Sequence, residues 1–180
     1  MFTVGPPLRA EAEASGAAPF TMTFDEAFMP LDGTYLNNVY QSHYGVTFGA
    51  NVLRTTVGLV HASGYGAPAI PSPNGGSFAY NAVPLQTFEM NIDAANKSRR
   101  VKMWCMHIDY LSVTITLSTA YSQVFYFSGD SSVWAGQDFD LAVPPFDALG
   151  MYPGWITQVQ FSDPQADAQV AIDAVQVLLV

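Results

Sequence analysis

Apolar and polar residues alternate with a period of two over much of this chain. The clearest case runs from Leu111 to Ser118, where Val113, Ile115 and Leu117 fall on one side and Thr114, Thr116 and Ser118 on the other. Successive side chains of a strand leave opposite faces, so this pattern puts an aliphatic face on a core and a hydroxyl face towards water. Similar short runs recur at Thr21 to Phe24, Tyr44 to Phe48, Asn51 to Val60, Leu85 to Ile92, Val101 to Ile108, Gln123 to Phe127, Trp155 to Phe161 and Gln169 to Val180. Breakers such as Pro71, Pro73, Gly75 and Gly76 fall between them. The pattern allows one short helical turn, near Phe146 to Leu149 after Pro144 and Pro145, so crossover helices are not expected. The predicted fold is all-β, with two antiparallel sheets packed as a β-sandwich.

With 180 residues, the chain is long enough for one domain with a real core and short for two. Residues 1–20 break the pattern. They are rich in Ala, Glu, Gly and Pro, with Pro6 beside Pro7, and predict an extended N-terminal arm ahead of a domain over 21–180. Such an arm is either a disordered terminus or a segment that packs on a neighbouring subunit. It lacks the basic start and continuous apolar stretch of a secretory signal, and no later run is long enough to span a bilayer, so membrane insertion is not expected. The stretch Gly64 to Gly76, GYGAPAIPSPNGG, is a loop by composition and a candidate recognition surface.

Charge narrows the partners. Only 12% of residues are charged, against 49% hydrophobic and 13% aromatic, so Ser, Thr, Asn, Gln, Gly and Tyr must supply most of the surface, as is common outside cells and in assemblies. Six Lys and Arg against fifteen Asp and Glu, net −9, would repel a phosphate backbone and exclude nucleic acid as a partner. The single Cys105 cannot form an intrachain disulfide and lies in an apolar run, which predicts a buried thiol rather than a nucleophile.

Several segments then occur in a familiar order: Thr21-Met22-Thr23-Phe24-Asp25-Glu26, Tyr44-Gly45-Val46-Thr47-Phe48, the Asn74 region, Ile156 to Phe161, and Val170-Ala171-Ile172-Asp173-Ala174-Val175-Gln176-Val177. Together they resemble the jelly-roll, galactose-binding-like domains, of carbohydrate-binding-module type, of bacterial surface proteins. Those domains open with a Phe-Asp-Asp or Phe-Asp-Glu strand, continue with Tyr-x-Gly-x-x-Phe and close with a strand close to Phe-x-Ile-Asp-Asn-Val-x-Val. The resemblance implies a jelly-roll sandwich over most of 21–180. It also implies first and last strands that lie close together and share a structural Ca²⁺, for which Asp25, Glu26 and Asp173 stand at the matching positions. The alternative for these acids is to cap loops and accept backbone hydrogen bonds at strand ends.

Glycan recognition uses aromatic faces against sugar rings, flanked by side chains that hydrogen-bond hydroxyls. Tyr35, Tyr40, Tyr65, Trp134 and Tyr152 sit in loop-like sequence near Asn37, Asn38, Asp130 and Gln137. Trp134 and Tyr65 are favoured because their surroundings are the richest in turn residues, while Trp104 and Trp155 look like packing residues. His43, His61 and His107 lack metal-ligand spacing, and the acid pairs Asp138/Asp140 and Asp163/Asp167 look like solvated turns rather than a glycosidase pair. No nucleophile elbow, phosphate loop or zinc signature occurs, so no enzyme is expected.

Two functions fit these features. One is a non-enzymatic attachment or decoration module, extracellular or at a cell surface, that binds a glycan or surface polysaccharide. The other is a bacteriophage virion protein, a capsid decoration or tail component, held to virion or surface-layer subunits or to its own copies through the N-terminal arm.

Overall fold

The computed structural model describes residues 19–57, 71–73, 76–81, 87–107, 111–127, 131–143, 146, 154–162 and 170–179. Most of the predicted arm, most of the Gly64–Gly76 loop, the Phe146–Leu149 turn beyond Phe146, and Asp163 and Asp167 lie outside them.

The described elements are β1 (Phe20–Met22), α1 (Gln41–Tyr44), β2 (Val46–Phe48), β3 (Val52–Thr55), β4 (Phe78–Asn81), β5 (Phe88–Ile92), a 3-10 turn (Ala94–Asn96), β6 (Ser98–His107), β7 (Leu111–Leu117), β8 (Ser122–Phe127), β9 (Ser131–Asp140), β10 (Ile156–Ser162) and β11 (Val170–Leu179). They form two antiparallel sheets that pack as the predicted jelly-roll sandwich. One is ordered β3-β4-β11-β6-β9, with β1 also paired to β11, and the other β2-β5-β10-β7-β8. First and last strands therefore meet, Phe20 opposite Val177 and Met22 opposite Val175.

Alternation builds the interior. Leu111, Val113, Ile115 and Leu117 of β7 and Phe88, Met90 and Ile92 of β5 are buried, and the residues between them are half-buried on the outer side. Two strands break the period and recover it with bulges. In β10 the core residues Ile156 and Val159 are three apart, and the register with β7 shifts between Ile156 and Gln158. In β11 the core residues Ile172 and Val175 are likewise three apart, and the register with β6 shifts between Asp173 and Gln176. An extra residue in one strand returns the next side chain to the same face, which keeps both aliphatic residues inside. A run of edge-to-face rings crosses the second sheet from the loop after β1: Phe24 with Phe48 at 6.0 Å, Phe48 with Phe88 at 6.1 Å and Phe88 with Phe161 at 5.4 Å between centroids.

The structure adds β4, β9 and α1 to the elements expected from sequence. β4 is buried at all four positions, with Ala79 in the main core and Phe78 and Tyr80 in a second apolar cluster with Leu53 and Ala171, so it shows no alternation to detect. β9 reads Ser-Ser-Val-Trp-Ala-Gly-Gln-Asp-Phe-Asp, and its Gly and Asp content conceals a strand that is set by pairing with β6. α1 is a single turn ended by Gly45 in the left-handed conformation, φ 64°.

A polar knot closes one end of the sandwich. The Asp25 carboxylate accepts the Ser77 backbone N–H (3.0 and 3.2 Å) and pairs with Arg54 at 3.4 Å. Arg54 also donates to the carbonyls of Phe24 (2.7 Å) and Pro30 (3.2 Å) and pairs with Asp32. Gly76 abuts this carboxylate: a Cβ there would stand 1.7 Å from Asp25 Oδ2. Gly76→Ala is expected to expel Asp25, orphan the buried Ser77 amide and lower stability by about 1–3 kcal/mol, read as a fall in Tm. An unchanged Tm would show that Asp25 does not hold this turn.

Candidate functional site

The outer face of the first sheet carries a depression that combines an exposed aromatic ring with charged and amide groups. Along β6, Val101, Met103 and Cys105 point into the core, so the alternate positions Arg100, Lys102 and Trp104 face outward. Asp140, Asp138 and Gly136 of β9 stand opposite those three in turn. Trp104 is 40% exposed, a high value for this ring in mid-strand. It lies beside Gly136, which sets no side chain against the ring; a Cβ there would meet the indole at 3.8 and 4.0 Å, an ordinary contact distance.

β11 supplies the third wall. At its bulge Ala174 adopts φ 48°, an unusual value for a residue with a Cβ, and Asp173 Oδ1 accepts the Ala174 N–H at 2.6 Å. Asp173 is completely buried and stands opposite Trp104 in the register. The bulge brings Ala174 and Gln176 to the depression, which Lys102, Met103, Trp104, Gly136, Gln137 and Asp138 complete, with a volume of about 340 Å³.

Charge in the depression is fixed mainly by one arginine. Arg100 grips Asp138 with two parallel bonds, Nε to Oδ1 at 2.8 Å and Nη2 to Oδ2 at 2.6 Å, and its Nε is 3.2 Å from Asp140 Oδ2. These bonds hold the Asp138 carboxyl below the usual carboxylate range and raise Arg100. Lys102 Nζ stands 3.7 Å from Asp138 Oδ2, within ion-pair range but beyond a hydrogen bond.

The residues chosen from sequence are scattered. Trp134 is not in a loop: it lies in β9 and packs edge-on to Phe78 at 5.4 Å against the outer apolar cluster. Tyr35 is 46% exposed and bridges to Leu53 on the β3 side of the same sheet. Asn37 is exposed with φ 32°, and its carbonyl accepts the Phe48 N–H at 2.8 Å. Tyr40 is completely buried; its hydroxyl donates to Glu26 Oε2 at 2.7 Å, and burial followed by the Glu26 charge raises its pKa far above the ordinary value. Tyr65, Tyr152 and Asp130 lie outside the described residues. Trp104, set aside in the sequence as packing, is exposed on the outer face of β6. Asp138 and Asp140 are strand residues clamped by Arg100 rather than solvated turns. Cys105 is buried as expected, and burial pushes its thiol up to about 12, which keeps it protonated and unreactive at neutral pH.

The proposed calcium ligands do not form a donor set. Glu26 accepts the Thr23 N–H (2.7 Å) and the Tyr40 hydroxyl, Asp25 serves Ser77 and Arg54, and Asp173 holds the β11 bulge. Among the described residues no three of His, Cys, Asp and Glu are grouped to hold a metal ion. A hard cation needs six or more oxygens around one point, and these acids are turned to separate backbone partners. Chelation is therefore expected to leave Tm unchanged; a clear drop, restored by Ca²⁺, would refute this assignment.

No protein-family profile matches the chain, and no curated protein matches it in sequence. Solved structures do match its shape. The K2 cleaved adhesin domain of Lys-gingipain aligns with 90% of this chain and 100% of its own, at TM-score 0.53 and 14% identity. The two share an all-β sandwich fold. A family 29 carbohydrate-binding module, CBM29-2, aligns over 90% of this chain and 92% of its own at TM-score 0.43 and 10% identity. The CBM22-1 and GH10 modules of Clostridium thermocellum endo-1,4-beta-D-xylanase 10B, complexed with xylohexaose, align over 88% of this chain but 28% of that one, at TM-score 0.47 and 9% identity.

Proposed function

We propose that this chain is a non-catalytic binding module that takes a saccharide on Trp104, at the β6–β9–β11 face. The observation that carries this reading is an exposed indole set in a depression whose rim offers Lys102, Asp138, Gln137 and Gln176. A sugar ring has an apolar C–H face and a rim of hydroxyls, so its complement is an aromatic plane bordered by ions and amides. The volume of about 340 Å³ suits one or two sugar units at the small end of ligand sites.

The same geometry speaks against hydrolysis at this face. Glycoside cleavage asks one of two carboxyls to be protonated at working pH, whereas Asp138 is held ionised by Arg100, which also pairs with Asp140. Composition supports work outside a cytoplasm, where a low-charge surface of hydroxyl and amide groups meets polysaccharide. The test is a glycan array probed with the native chain and with Trp104→Ala. Specific retention lost in the variant supports the reading; retention equal in both would move the site elsewhere.

A further inference from the structure

Arg9, Arg54, Lys97, Arg99, Arg100 and Lys102 are the six basic residues of the chain, and the last four of them fall within residues 97–102. Arg100 and Lys102 face outward beside Trp104, while Arg99 sits over the Trp155 ring at 5.9 Å. In a chain of net charge −9, the Trp104 face thus carries two cations against the two carboxylates of Asp138 and Asp140, with a third, the buried Asp173, opposite Trp104 and accepting the Ala174 amide. The pairing within that balance is uneven. Arg100 occupies both oxygens of Asp138 and reaches Asp140, so Asp138 Oδ2 already accepts a bond of 2.6 Å when Lys102 approaches it to 3.7 Å.

From this we infer that the saccharide bound at Trp104 is acidic: a uronate-type sugar whose ring lies on the indole and whose carboxylate is taken by Lys102. The inference rests on the saccharide reading above and names its ligand class. An ammonium carries three N–H donors, and Lys102 makes only a long ion pair of 3.7 Å to an Asp138 oxygen that Arg100 already holds at 2.6 Å, so most of its donor capacity faces the depression. Lys102 lines the same depression as Trp104, two residues along one strand face, a separation of about 6–7 Å between the Cα atoms. The carboxyl carbon of a uronate stands about 3 Å from the ring centre, so a charge-assisted hydrogen bond of about 2.8 Å puts the ammonium about 6 Å from that centre, within reach of the flexible lysine stem. Arg100 meanwhile neutralises Asp138, which would otherwise repel a second carboxylate in the depression. The negative charge of the remaining chain acts from farther off and is screened over about 8 Å at physiological salt.

The experiment compares a polyuronate with the same polymer after its carboxyl groups are reduced to alcohols, using the native chain, Lys102→Gln and Trp104→Ala in affinity electrophoresis and calorimetry. The native chain should bind the acidic polymer about tenfold tighter than the reduced one, and the margin should shrink as salt rises. Lys102→Gln should lose that margin and bind the acidic and the reduced polymer alike, with Tm unchanged. Trp104→Ala should lose both. Equal binding of the two polymers by the native chain, or a preference that survives in Lys102→Gln, overturns the acidic-sugar inference while leaving the saccharide site intact. Failure of the native chain to bind either polymer, or any glycan on an array, overturns the site reading and this inference with it.

Discussion

Replacing Trp104 by alanine is expected to weaken saccharide binding about thirtyfold without unfolding the protein. The indole is 40% exposed, so about 80 Å² of a surface near 200 Å² stands ready to be covered by a ligand. At about 25 cal/mol per Å² this contributes about 2 kcal/mol, which converts to the stated ratio. Stability should fall as well: the part of the ring already covered, about 120 Å² of that surface, contributes about 3 kcal/mol on the same scale, about 6–12 °C of Tm, so affinity is read well below the variant's melting temperature. Trp104→Phe should keep part of the affinity because a smaller plane still covers a sugar face. Calorimetric titration of the three proteins measures the series, and alanine binding as tightly as tryptophan would remove Trp104 from the site.

The largest loss of stability is expected from Phe88→Ala. Phe88 is fully buried on the inner face of the second sheet, with Phe48 of β2 edge-on at 6.1 Å and Phe161 of β10 edge-on at 5.4 Å. Deleting the ring removes its transfer energy, leaves a cavity and breaks both aromatic contacts, a total of about 3–5 kcal/mol. Against a usual stability of about 5–15 kcal/mol that is a large share, and Tm should fall by about 6–20 °C. Urea denaturation gives the free energy directly. A loss below about 1 kcal/mol would mean that the sandwich core is not packed around this ring.

The alternating runs were legible because one face of each strand is buried and the other wet, the condition under which a period of two appears in sequence. β7 shows it without exception. β4 was silent because both of its faces are covered, by the main core and by the Leu53, Phe78, Tyr80 and Ala171 cluster. β9 was read as turns because Gly136, Asp138 and Asp140 are poor strand formers alone, and their cross-strand partners on β6 are distant in sequence. That misreading shifted attention along the outer face: it took Trp134 as a loop ring and Trp104 as packing, whereas Trp134 lies in β9 against Phe78 and Trp104 is 40% exposed beside Gly136.

Asp173 shows the same limit from another side. Its place in the closing motif pointed to a strand-end acid, and its bond to the Ala174 amide agrees with the backbone role weighed for it; the bulge it holds, and the wall that bulge gives the depression, belong to three-dimensional register.

By itself, then, the sequence determined an all-β sandwich with an acidic, low-charge surface, because composition and periodicity are local properties that burial imposes residue by residue. The site was decided only by tertiary structure. Which side of β6 faces water, which glycine lies beside the indole, and which carboxylate Arg100 occupies all depend on pairing between strands more than thirty residues apart, and no local pattern encodes that register.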